Sequence, residues 1–84
     1  MADVISGTFT GTGASGILQS SLVAFNIEFG TGTVEIQWSK DATNWTTIES
    51  KTADTAQYAG PGPTLWWRLN CTAHSVDIDY WIAG

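Results

Sequence analysis

LWWRLNCTAHSVDIDYWI, residues 65–82, decides the fold class. Two runs of alternating apolar and polar residues flank the polar segment Thr72–Ser75. In the first run, Trp67, Leu69 and Cys71 share one parity and Trp66, Arg68 and Asn70 the other. In the second, Val76, Ile78 and Tyr80 alternate with Asp77, Asp79 and Trp81. Successive side chains of a strand point to opposite faces, so a period of two marks a strand with one face buried. With Thr72–Ser75 as the turn, the pattern predicts a hairpin. Its core face opposes Cys71 to Val76, Leu69 to Ile78 and Trp67 to Tyr80. Its outer face opposes Asn70 to Asp77, Arg68 to Asp79 and Trp66 to Trp81, with Cβ atoms about 4.5–5.5 Å apart. That register predicts an exposed Arg68–Asp79 ion pair, worth at most about 1 kcal/mol, beside a cross-strand tryptophan pair.

The rest of the chain follows the same period. Further strands are expected over Val4–Thr10, Leu22–Phe29, Thr33–Ser39 and Trp45–Ser50, with a short one near Ala56–Ala59. The segments GTGASG, GTGT, SKDATN, AGPGP and TAHS separate them. Six or seven short strands at this spacing predict an all-β fold, a single antiparallel β-sandwich of jelly-roll or immunoglobulin-like type over residues 1–84. A second hairpin turning at Gly30–Thr33 would oppose Phe29 to Val34, Ile27 to Ile36 and Phe25 to Trp38. Its outer face would then set Glu28 against Glu35, an unfavourable like-charge pair for which Lys51 is a candidate counterion. In WSKDATNWTTIES, residues 38–50, a loop at Lys40–Asn44 would pair Ile36 with Ile48 and Trp38 with Thr46. Trp38 then belongs to the core and Trp45 lies beside the turn on the outer face.

The chain has 84 residues, five of them Trp, three Phe and two Tyr. A domain of this size buries only about 60 % of its unfolded surface, so its margin of stability is thin. With a single cysteine, Cys71, no internal disulfide can help, and small domains of this kind gain stability by oligomerising. Each aromatic buries roughly 150–250 Å², and those not needed in the core are available to a partner. The net charge is −5. An acidic chain lacks the Lys and Arg that bind a phosphate backbone, and the same balance opposes an anionic membrane surface. No apolar run approaches the ~18 residues of a membrane helix. The start, MADVISGTFT, has no basic and apolar regions of a secretory signal, which predicts synthesis in the cytoplasm.

Several short motifs suggest chemistry, and each has a plainer reading. GTGASG, residues 11–16, matches G-x-G-x-x-G, but ILQSSLVAFN after it alternates like a strand where a dinucleotide site needs a helix. Cys71, His74 and Asp77 are metal-ligand types, yet the hairpin register points them in different directions. Asp77 and Asp79 lie about 7 Å apart along one strand face, a glycosidase-like spacing, but a small sandwich offers no deep cleft to raise one of their pKa values. Asn44-Trp45-Thr46 and Asn70-Cys71-Thr72 match the glycosylation sequon and are silent without secretion. No catalytic residue, cofactor or metal is therefore expected. The exposed tryptophans remain. They suit a sugar ring or a protein partner, and Trp and Arg are enriched in interface hot spots.

ISGTFTGTGASG (5–16), AFNIEFGTGTVEIQWSKDATNWTTI (24–48) and WWRLNCTAHSVDIDYWIAG (66–84) occur in this order. In these stretches the chain resembles a group of small tailed-phage virion proteins with an "SGTFTGTG" start, a "G-T-V-x-h-x-x-S-x-D-x-x-x-W" hairpin and a late "R-h-x-C-T". It departs from them in the turn DATN, which lacks the glycine usual after the aspartate. The resemblance implies a structural virion protein: a head decoration, or cement, protein on the outer capsid surface, often a trimer, whose partner is the major capsid protein. Tail or fibre association, or a carbohydrate-binding adhesion module, are the rivals. The expected partner interface comprises Trp45, Trp66, Arg68, Asp79 and Trp81, supplemented by a Met1–Ser6 arm and the Ala59–Pro63 loop.

Overall fold

The computed structural model describes residues 4–84. Nine strands follow in chain order: β1 (Val4–Phe9), β2 (Gly13–Ala14), β3 (Leu18–Ser20), β4 (Val23–Glu28), β5 (Thr31–Ser39), β6 (Thr46–Lys51), β7 (Thr55–Ala59), β8 (Leu65–Val76) and β9 (Ile78–Ala83). No helix occurs among the described residues. The strands form two antiparallel sheets packed face to face. One sheet runs β1-β9-β4-β7; the other runs β2-β8-β5-β6, with β3 also paired to β8. The all-β sandwich expected from the period-two pattern is the fold observed.

The pairings are nested. β5 pairs with β6, β4 with β7, β2 and β3 with β8, and β1 with β9, like an antiparallel ribbon doubled back at the β5–β6 turn. Further ladders between β4 and β9 and between β5 and β8 wrap the ribbon into two layers. Among connections between neighbouring strands in the chain, only β5 to β6 is a hairpin. The step from β2 to β3 stays on the edge of β8, and every other connection changes sheet.

This topology corrects two expected hairpins. β8 continues through Thr72–Ser75 to Val76, and the chain crosses at Asp77 into the opposite sheet. Arg68 therefore opposes Gln37, while Asp79 opposes Thr8 and Glu28. Trp66 opposes Ser39 and Gln19, while Trp81 opposes Ser6 and Asn26. Likewise β4 and β5 lie in different sheets, so Glu28 does not face Glu35, and Lys51 pairs with Glu49 at 3.1 Å instead. The physical reason is that alternation specifies which side chains face inward but not whether two strands meet edge to edge or face to face. Most inward faces come out as expected: Trp67, Leu69, Cys71 and Ile78 are buried, and Tyr80 is half-buried against the core. Val76, at the crossover, is 55 % exposed.

Two glycines permit the crossovers. A Cβ on Gly30 would stand 2.5 Å from the Asp77 carbonyl oxygen, which accepts a hydrogen bond from the Gly30 amide at 3.1 Å. Gly32 has φ 155° and would place a Cβ 2.3 Å from the Ala73 carbonyl oxygen. The β4–β5 and β8–β9 crossings are thus stacked at one end of the molecule, where only the smallest residue fits. GTGT marks a break in the chain, as expected, but the break changes sheet. In the core, Phe25 meets Trp67 edge to face with ring centroids 6.0 Å apart. The buried Trp67 indole donates to the Ser20 carbonyl at 3.0 Å, so its polar atom is satisfied.

The third expected hairpin is present. Trp38 opposes Thr46, but a bulge between Ile36 and Gln37 sets Ile36 against Glu49 and leaves Ile48 exposed. GTGASG carries the chain from β1 into β2 and then into strand β3, so the helix required after a dinucleotide loop is replaced by a strand. Ser15 closes the edge, its amide donating to the Leu69 carbonyl and its hydroxyl accepting from the Leu69 amide.

Candidate functional site

The expected interface residues fall on two opposite outer surfaces. Trp45, Trp66 and Arg68 lie on the β2/β3-β8-β5-β6 sheet; Asp79 and Trp81 lie on the β1-β9-β4-β7 sheet. The single patch built on cross-strand pairs of β8 and β9 is therefore divided in two.

On the first surface, Arg68 and Trp66 alternate with the buried Trp67 and Leu69, which turns both outward. Both are half-buried. The Arg68 guanidinium carbon stands 4.3 Å from the Trp45 ring centroid, a cation–π contact. Its Nε donates to Gln37 Oε1 at 2.7 Å. Gln37 Nε2 in turn donates to Thr47 Oγ1 at 3.0 Å and to Glu35 Oε1 at 3.2 Å, and Thr47 Oγ1 donates to Glu35 Oε1 at 3.3 Å. The network fixes the guanidinium plane before any partner arrives. Arg68 is thus held by Gln37 and Trp45, in place of the expected pair with Asp79. Gln37, only 7 % exposed despite its outward parity, is the residue that sequence reasoning missed. A polar residue between Ile36 and Trp38 signals an outward position, but nothing local signals its partners.

Trp45 sits just after a tightly bonded turn. Asp41 Oδ1 accepts from the Asn44 amide and the Thr43 amide, both at 2.9 Å, and from the Ser39 hydroxyl at 2.8 Å. These donors, the Asn44 amide foremost, hold the Asp41 carboxyl far below the usual carboxylate range. Ala42 occupies the left-handed region at φ 61°, which favours glycine.

On the second surface the rows run across the sheet: Val4–Ala83–Ala24–Tyr58, then Ser6–Trp81–Asn26–Ala56, then Thr8–Asp79–Glu28. Trp81 is 40 % exposed and Tyr58 77 %. Tyr58 was not among the expected residues; the alternation of TAQYA is the signal that would have found it. The small side chains at Ala24, Asn26 and Ala56 leave shallow depressions between Trp81, Tyr58 and the carboxylates of Glu28 and Asp79. Thr8 Oγ1 donates to Asp79 Oδ1 at 2.7 Å.

Between the sheets, at the β6 and β7 edges, Gln57 Nε2 donates to Glu49 Oε2, and Lys51 Nζ stands 3.1 Å from Glu49 Oε1. The Gln57 amide, with help from Lys51, lowers the Glu49 carboxyl below its ordinary value. Cys71 is buried in the core and its thiol is pushed up by desolvation. Contrary to the expected divergence, His74 and Asp77 do meet, with Nε2 and Oδ1 3.0 Å apart. Cys71 does not join them, its sulfur facing the Ala73 carbonyl at 3.2 Å, and among the described residues no three metal-ligating side chains converge. Of the accessory segments, Val4–Ser6 belongs to β1, residues 1–3 lie outside the described part, and Gly60–Pro63 is an exposed loop. No protein-family model matches the chain, and neither a curated protein nor a solved structure does.

Proposed function

We propose that the chain is a non-catalytic structural module of a tailed-phage virion, a cement protein that joins neighbouring capsid subunits. The observation that carries this reading is the placement of aromatic surfaces on opposite faces of one thin body. Trp66, Trp45 and the clamped Arg68 occupy one sheet, Trp81 the other, and the shortest principal extent of the molecule is 17 Å. A module with two such faces can touch two partners at once. Several copies then bind with avidity well beyond one contact, and separating the subunits costs all of those contacts.

The nested pairing supports the same reading. With β2 and β3 counted as one interrupted strand, first pairs with last, second with second-to-last, and so inward. We read this order as that of a jelly roll, an architecture of viral capsid and lectin domains. Fold alone does not assign function, so the argument rests on the faces. The fold lowers the Asp41 and Glu49 carboxyls, the opposite of what a general acid requires.

The test uses empty phage capsids bearing their major capsid protein. The expected result is co-sedimentation with a raised capsid melting temperature, weakened at least tenfold by Trp66→Ala or Arg68→Ala. Absence of binding by the wild-type chain overturns the reading. A second reading, a glycan-binding adhesion module, is favoured by one observation: Trp81 beside Asn26, Glu28 and Asp79 in a shallow depression. An aromatic ring with adjacent polar acceptors suits a sugar. Quenching of tryptophan fluorescence by glycans, lost in Trp81→Ala, with no binding to capsids, selects that alternative.

A further inference from the structure

The two sheets treat their edges differently. In the β2/β3-β8-β5-β6 sheet, one edge is broken into two short pieces, β2 and β3. The other, β6, is interrupted by a bulge and carries Glu49 and Lys51. These are familiar defences against edge-to-edge pairing. In the β1-β9-β4-β7 sheet, the edges are VISGTF (β1) and TAQYA (β7), with no charged residue, no proline and no bulge in either ladder. Among the described residues no other strand pairs with the outer side of either.

The most exposed large apolar side chains of this sheet lie on those two edges. Tyr58 on β7 is 77 % exposed and Val4 on β1 is 55 % exposed. They occupy the two ends of one cross-strand row, Val4–Ala83–Ala24–Tyr58, and both point to the outer face. β1 and β7 run antiparallel to each other, because each step across β1-β9-β4-β7 reverses direction.

We infer that β7 of one copy pairs antiparallel with β1 of a second copy, so that Tyr58 covers Val4 of that copy. The row register then continues without a slip: Ala56 faces Ser6 of the neighbour, and Gln57 faces Ile5. Small lies against small on the outer face, and ring against β-branched side chain, a favourable cross-strand pair. At the far end of the seam the same register sets Asp54 opposite Thr8 of the neighbour, whose hydroxyl donates to Asp79 Oδ1 at 2.7 Å, so Asp54 and that copy's Asp79 flank Thr8. The interface is heterologous: each copy offers a donor edge and a different acceptor edge, so successive copies form a ring where the rotation closes. The pairing stands independently of the capsid reading; only a count of three copies rests on it.

The test is the mass of purified protein in solution, with Val4→Lys and Tyr58→Lys. Both positions are exposed, so both variants should retain the wild-type circular dichroism spectrum. The wild type is expected to be oligomeric, and each variant alone monomeric, because each has lost one of its two edges. Mixed in equal amounts, the variants should form a dimer and nothing larger, since one intact β7 and one intact β1 remain to meet. A monomeric wild type overturns the inference. So do variants that stay oligomeric, as Val4→Lys would through a symmetric β7–β7 contact and Tyr58→Lys through a β1–β1 contact, and so does a mixture that stays monomeric. Capsid binding by the monomeric variants distinguishes a failure of this pairing from a failure of the cement reading.

Discussion

At the scale of the residue, the turn Asp41–Asn44 is the clearest case of local chemistry under tension. Ala42 is held at φ 61°, a conformation that costs an L-residue roughly 1–2 kcal/mol and glycine almost nothing. Glycine gives back part of that gain through its freer unfolded chain. Ala42→Gly should therefore stabilise the protein by about 1 kcal/mol, raising the melting temperature by roughly 4–8 °C in a thermal unfolding scan. Asp41 makes the complementary prediction. Its carboxyl is held far below the unfolded value of 3.8 by the Asn44 and Thr43 amides and the Ser39 hydroxyl. A depressed folded-state pKa gives stability that is fully present above the unfolded pKa and is lost as pH falls toward the folded one. Stability should be flat from about pH 7 to 5 and fall below about pH 4. Asp41→Asn keeps an oxygen acceptor for the turn but takes up no proton. Denaturant midpoints should then show a shallower acid loss in this variant than in the wild type, Glu49 supplying part of what remains.

At the scale of the element, the two stacked crossings at Gly30, Gly32 and Asp77 set the topology. Gly30→Ala would press a methyl carbon against the Asp77 carbonyl, and Gly32→Ala would press one against the Ala73 carbonyl from a positive φ. Both carbonyl oxygens belong to the backbone and cannot rotate away. Each substitution should cost about 3 kcal/mol, whereas Gly62→Ala, which meets nothing within 4 Å, should stay within about 0.5 kcal/mol. Urea titration of the three variants compares them directly. The same crossings explain why two of the expected hairpins do not form. Thr72–Ser75 carries ordinary turn residues, yet it continues β8 because its partners, Gly32 and Thr33, lie on β5. The break falls instead at Asp77, a residue with no turn signal stronger than its neighbours. Strand existence and facing were legible along most of the chain, and Trp38–Thr46 was placed correctly, because one hairpin is a local event. The Arg68–Gln37 clamp joins residues 31 positions apart in the chain and has no local signature.

At the scale of the whole molecule, a small sandwich without a disulfide is expected to draw stability from its neighbours. If copies associate through β7 and β1, unfolding is coupled to dissociation, and the melting temperature should rise with protein concentration. It should be independent of concentration in Val4→Lys, measured by calorimetry across a hundredfold range. The division of the tryptophans between two faces matters at this scale too. Trp66 and Trp81, expected side by side, belong to surfaces that one partner cannot cover together, and a bridging molecule needs that separation. Loss of binding through the Trp66 face should leave the Trp81 face unaltered, because β8 and β9 meet across the core and share no ladder.

The sequence by itself determined the fold class, the inward faces of β4, of β5 and of the Trp67–Cys71 part of β8, and the one local hairpin, while β2 and β3 fall outside the strands it predicts. Period two is a property of the backbone pleat, written at each residue. The tertiary structure alone decided which strands pair. Edge-to-edge and face-to-face neighbours bury the same alternating side chains, so the pattern cannot tell them apart. Two glycines lacking a Cβ, and the wrapping of the doubled ribbon, send Arg68 to Gln37 and Trp45 on one sheet, and Asp79 to Thr8 and Glu28 on the other.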